Sequence, residues 1–149
     1  MLRQCLQGYK YGVLALLFLG FACAVAAAGA PKPLALADFE LIDEMHEFTS
    51  EAQRRDDERR TALASAELRS ELERRGLYRV QPEGLRVARC WVQKVSNLIL
   101  NLNIEVRDAA TDQILYTTSV DIRGNTDESW LRGVRRLVDN IAARNHHLR

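Results

Sequence analysis

The side chains whose chemistry could support catalysis or metal binding are few: three histidines, three cysteines and scattered serines in 149 residues. His46 sits among Asp43, Glu44 and Glu47, which are ligand-type neighbours, but no helical or strand register converges them on one ion. His146 and His147 fall in a solvated tail. Ser96 and Ser129 have no histidine at a spacing that suggests a nucleophile and its base. Gly124 stands alone without the lysine of a phosphate-binding loop. The expectation is a protein with no catalytic residues, no metal and no cofactor.

Two polar sets are more distinctive. Asn97, Asn101, Asn103, Glu105 and Arg107 recur at every second position or nearly so, and asparagine is a poor strand former, so this run points to specific hydrogen bonds. The segment from Asp121 to Asp127, DIRGNTD, reads as a corner between a strand and a helix, with Asp121 and Arg123 tying the two through a charge-assisted hydrogen bond. Lys94, Asn97, Asn101, Asn103, Arg123 and Asn125 form the candidate partner or ligand surface.

The elements that must position these groups follow from periodicity. Residues 33–43 read as a strand whose early half is apolar on both faces, as in a strand covered on both sides. Residues 44–53 break the pattern and read as a loop. Residues 54–75 are helix formers with Thr61, Ala64, Leu68 and Leu72 on one side. Seven basic and seven acidic side chains between Glu51 and Arg75 predict a solvated face laced with ion pairs. Gly76 ends the helix, 77–80 is a short strand and 81–84 a turn.

Residues 86–96 form the next strand. In 97–107, Leu98, Leu100, Leu102, Ile104 and Val106 alternate with Asn97, Ile99, Asn101, Asn103, Glu105 and Arg107, which places the first set on one buried strand face. Residues 114–122 repeat the alternation and complete an antiparallel hairpin. Asn125 or Thr126 then caps a final helix, with Asp127 and Glu128 in its first turn. Trp130, Val134, Leu137, Val138 and Ile141 form its apolar stripe. The predicted fold is α+β: one mixed sheet of about five strands in the order β-α-β-β-β-β-α, with two helices packed on it.

The amino-terminal segment constrains the compartment. Arg3 and Lys10 precede an apolar run from Val13 to Ala28 and a small-residue stretch to Ala30, the order of a secretory signal peptide. Residues 1–30 are therefore expected to be a signal and 31–149 a single periplasmic domain. The alternative is a membrane anchor at residues 11–30, the one membrane contact expected. Gly20 and Phe21 do not suit lipid attachment at Cys23. Cleavage removes Cys5 and Cys23 and leaves Cys90 unpaired, as a small buried residue. It also changes 21 Lys+Arg against 20 Asp+Glu to 19 against 20, about −1, which gives nucleic acid no basic excess to bind.

The stretches WVQKVSNLILN (91–101) and VDIRGNTDESW (120–130), with LADFELID (36–43), resemble a family of small exported proteobacterial proteins known as a domain of unknown function. In that family an extra segment with a cysteine pair and a helix lies between the LYRV and WVQKVSN strands. Here only about ten residues, Gln81 to Cys90, fill the interval. More loosely, DFE followed by a helix and the strand ERRGLYRV is similar to the periplasmic modules of TolB and of outer-membrane assembly and lipoprotein activator proteins. That resemblance implies a module that binds partner proteins and is not an enzyme. The expected function is a non-enzymatic periplasmic accessory domain with an envelope protein partner; the alternative is a small-molecule or anion-binding protein.

Overall fold

The computed structural model describes residues 30–146, so all of the expected signal segment but Ala30, and the tail from His147, lie outside the described residues. The elements are β1 (Lys32–Asp43), a 3-10 turn (His46–Phe48), α1 (Glu51–Arg74), β2 (Tyr78–Val80), β3 (Arg86–Lys94), β4 (Ile99–Asp108), β5 (Ile114–Arg123) and α2 (Asp127–His146). They build one mixed five-stranded sheet of order β2-β1-β3-β4-β5. β1 pairs in parallel with β2 and β3, and β3-β4-β5 is an antiparallel meander. Two helices on one mixed sheet is the architecture the periodicity predicts.

Helix α1 starts at Glu51 and not at residue 54, because Ser50 forms a capping box with Gln53 that satisfies the free amides of the first turn. Gly76, at φ 63°, supplies the left-handed turn beyond its end. Both helices pack on one face of the sheet and on each other. The core holds Leu34, Phe39, Cys90, Val92, Leu102 and Ile104 from the strands, Leu68 and Leu72 from α1, and Trp130, Leu137 and Ile141 from α2. The other sheet face has no helix over it. β1 is therefore covered on one side only: its apolar residues face the helices at Leu34 and Phe39, while Ala37 is exposed at an irregularity between Leu36 and Phe39.

The stripe expected from Leu98 to Val106 starts at Leu100. Residues 95–98 turn the chain between β3 and β4, with the Ser96 hydroxyl accepting from the amides of Leu98 and Ile99. Leu98 is consequently 70% exposed, and Asn97 lies in the same turn rather than on the strand face.

Gly133 marks the closest approach of α2 to the sheet. A Cβ there would lie 2.3 Å from Ile122 Cγ2 and 2.9 Å from Leu102 Cδ1. Gly133→Ala will therefore lower stability by up to about 2 kcal/mol, because overpacking of about 1–3 kcal/mol exceeds the helix-propensity gain of about 1. Urea denaturation checks this; a stabilised variant would refute the close packing.

Candidate functional site

The open face of the sheet is built by strand register. One row across it runs Glu40, Trp91, Asn103, Ser119 through β1, β3, β4 and β5, and the adjacent row runs Ile42, Gln93, Asn101, Asp121. These residues share the face because side chains alternate sides along each strand, and even-numbered β3 and β4 residues already point to the helices. Asn101 Nδ2 donates to Asp121 Oδ1 at 2.5 Å, and Asn103 Nδ2 donates to the Asn101 carbonyl at 3.1 Å. The asparagines thus make specific hydrogen bonds within β4 and across to β5. Glu105 and Arg107 pair at 2.7 Å further along the same face. Trp91, half-buried beside Asn103, was not singled out from the sequence; the more apolar side of β3 took Cys90 and Val92 into the core and left the indole on the open face.

Lys94 lies away from that face. Its ammonium is fully buried, 2.6 Å from Asp57 Oδ2 and 3.3 Å from Asp43 Oδ2. Asp57, on α1, is equally buried, and its other oxygen accepts from Asn125 Nδ2 at 2.7 Å. Asn125 Oδ1 in turn accepts from the Trp130 indole N–H at 2.7 Å. This chain of bonds joins β1, β3, α1 and the start of α2, so Lys94 is an interior part of one lock and offers no ligand surface, while half-buried Asn125 engages both ends of its amide in it. Burial alone would raise the Asp43 carboxyl, but the Thr49 hydroxyl, the Met45 amide and the Lys94 ammonium outweigh it and hold the group below its ordinary value. Lys94 and Asp57 are fully buried and partnered, while Asp43 and Asn125 stand half-buried at the margin of the pair.

The expected corner between β5 and α2 is made by other residues. Asp121 accepts from Asn101, and Arg123 is exposed with no ion-pair partner among the described residues. The tie is supplied by Asn125 and by Asp127, whose two oxygens accept from Arg59 at 2.8 Å each, with Arg60 at 3.1 Å. Thr126 caps α2 by accepting from the Ser129 amide. The spacing rules could not find this pairing, because Arg59 and Asp127 are 68 residues apart and meet only in the folded chain.

The ion pairs set an acid limit. The Arg59 hydrogen bond, supported by Arg60, lowers the Asp127 carboxyl to about 2, and Arg74 with Arg75 lowers Glu71 to about 2. Both groups bind protons more weakly folded than unfolded, so their stabilisation is complete above the ordinary carboxylate range and disappears as pH falls through about 2. Thermal midpoints will fall from pH 5 to pH 2, and Asp127→Asn will flatten part of that slope. An unchanged slope would mean the guanidinium contacts do not form.

Cys90 is buried in the core, where burial pushes its thiol up to about 12. Among the described residues no three His, Cys, Asp or Glu side chains converge on a metal position, His46 included. No described helix is long and apolar enough to cross a membrane.

Residues 83–141 match the family model DUF3280, described as Protein of unknown function (DUF2380). That match shows the resemblance carried by the two motifs. It spans β3, β4, β5 and most of α2, and so covers the α2 corner and the asparagine rows except for their β1 residues. No curated protein matches the chain. Solved structures with a similar fold include PelC from Paraburkholderia phytofirmans, a dodecamer, at TM-score 0.52 and 10% identity over 76% of this chain and 90% of that one. A Xanthomonas campestris protein of family DUF330 has TM-score 0.51 and 6% identity, covering 77% and 85% of the two chains. A lipoprotein from Neisseria meningitidis has TM-score 0.50 and 16% identity, covering 75% and 97%. At these identities the likeness is one of fold.

Proposed function

We propose that this is a non-enzymatic accessory domain, exported by residues 1–30 to the periplasm, that binds an envelope protein through the open face of its sheet. The observation that carries the reading is the uncovered face itself. Both helices lie on the opposite side, while Trp91, Asn101 and Asn103 stand in adjacent rows among Ile42, Gln93 and Ser119. An aromatic group among hydrogen-bonding side chains is a common composition for a protein-binding patch. The fold is shared by a lipoprotein and by the subunit of a twelve-membered assembly, which agrees with a role in the envelope. The anion-binding alternative loses its central cation, since Lys94 is enclosed by two aspartates.

Site-specific photocrosslinking in intact cells tests the proposal. A photoreactive residue in place of Arg89 or Thr117, both exposed on the open face, will give an adduct of one defined mass. The same residue in place of Arg55 or Glu58, on the solvent side of α1, will give none. Asn101→Lys with Asn103→Lys will abolish the adduct, with the thermal midpoint measured to show that the domain still folds. Equal adducts from both sides of the molecule, or an adduct unchanged by the two lysines, would overturn the assignment.

A further inference from the structure

β5 is an edge strand, and the direction of its free backbone groups follows from the ladder. The Gly124 amide donates to the Leu98 carbonyl, so the even-numbered residues of β5 bond to β4. The amides and carbonyls of Thr117, Ser119, Asp121 and Arg123 therefore face outward. One of these groups is met from outside: Asn140 Nδ2, on α2, donates to the Ser119 carbonyl at 3.4 Å. That bond shows which flank of α2 borders the edge. Arg136 and Arg144 lie one helical turn on either side of Asn140, both exposed and both without an ion-pair partner among the described residues. The cations of the opposite flank are already neutralised or engaged elsewhere, Arg135 meeting Glu67 of α1. Arg132, one turn before Arg136, is paired with Glu128. The carboxylate nearest the edge, Asp121, is held by Asn101 on the other sheet face.

We propose that this edge accepts an extended acidic segment of the partner as a sixth strand. Unpaired backbone groups supply the ladder and the α2 arginines supply charge complementarity. The spacing is specific. Arg136 and Arg144 are eight helical residues apart, about 12 Å at 1.5 Å per residue, and carboxylates four residues apart on a strand are about 13 Å apart. An added strand with Glu at positions i and i+4 on its helix side meets both guanidinium groups. The inference rests on the partner-binding reading and names the chemistry of what is bound.

The probe is a blocked nine-residue peptide of Thr and Val with Glu at positions 3 and 7, labelled for fluorescence anisotropy, titrated into the full chain in detergent micelles. It will bind about tenfold more tightly than its Lys counterpart, the scale on which two exposed ion pairs and two repulsions differ. Arg136→Glu with Arg144→Glu will reverse the preference toward the Lys peptide. Hydrogen exchange will slow in the segment 114–123 and stay unchanged in 86–94, and N-methylation at alternate peptide positions will remove both effects. Equal affinity for the two peptides, no reversal, protection outside β5 or no binding would each overturn the inference. The two ideas fail separately: adducts from the open face without peptide binding remove only the acidic sixth strand, whereas peptide binding without any adduct in cells removes only the open-face partner.

Discussion

Asp57→Ala will destabilise the domain by about 3–5 kcal/mol, the usual consequence of removing one partner from a buried ion pair. The Lys94 ammonium would keep only the longer Asp43 contact, 3.3 Å against the 2.6 Å it loses, inside a site with no exposure to water. Asn125 would lose its acceptor at the same time, which loosens the link between α1 and the first turn of α2. The cost comes from the stranded charge more than from the pair's own attraction. Adding Lys94→Met to the same chain will therefore recover a large part of the loss, since it removes the uncompensated ammonium. Urea midpoints of the single and double variants decide it: a loss below about 1 kcal/mol, or no recovery in the double variant, would show that the pair is hydrated and not buried.

Trp130→Ala will cost a comparable amount, about 3–5 kcal/mol, through lost burial and the cavity left behind. Trp130 is the largest fully buried side chain among the described residues, and it opens the stripe by which α2 seats on the sheet. Its indole N–H also donates to Asn125, so the residue belongs to both the core and the buried polar chain. Trp130→Phe separates the two roles: it keeps most of the apolar volume and orphans the Asn125 oxygen, for an expected loss of about 1–3 kcal/mol. Near-ultraviolet circular dichroism and denaturation of both variants check the order. If Phe cost as much as Ala, the indole hydrogen bond and not the packing would dominate.

Much of the candidate site was legible at the level of a single strand. The alternation of Asn101 and Asn103 with Leu100, Leu102 and Ile104 placed the asparagines on the face opposite the core, and the structure has them on that face, but with Asn101 half-buried and Asn103 only 9% exposed. Asn97 and Leu98 could not be separated from that strand by period alone, because a turn interrupts alternation without changing composition, and the Ser96 hydroxyl makes the turn locally. Lys94 was misplaced for a different reason. Its position on the even side of β3, with Ala88, Cys90 and Val92, assigned it to the core face, but a lysine there looked like a surface group until its two aspartates came into view. The charge-rich stretch from Glu51 to Arg75 was equally opaque: most of it is a solvated face, yet Asp57 and Glu71 are buried within it. One signal was present, since Asp57 lies one turn before Thr61 on the side of the apolar stripe, but spacing alone does not show which partners would meet a buried carboxylate there.

By itself the sequence determined the elements and their order, the hairpin of β4 and β5, the stop at Gly76 and the apolar stripe of α2, since each is dictated by neighbours within a few residues. Only the tertiary structure decided that both helices share one face, that the other face stays open, and that Asp57, Lys94, Asn125 and Trp130 close into one hydrogen-bonded chain around a buried ion pair. Those residues are separated by 37 positions in one bond and 68 in another. Their meeting depends on strand register and helix placement together, and the burial that gives the contacts their strength arises only when both are in place.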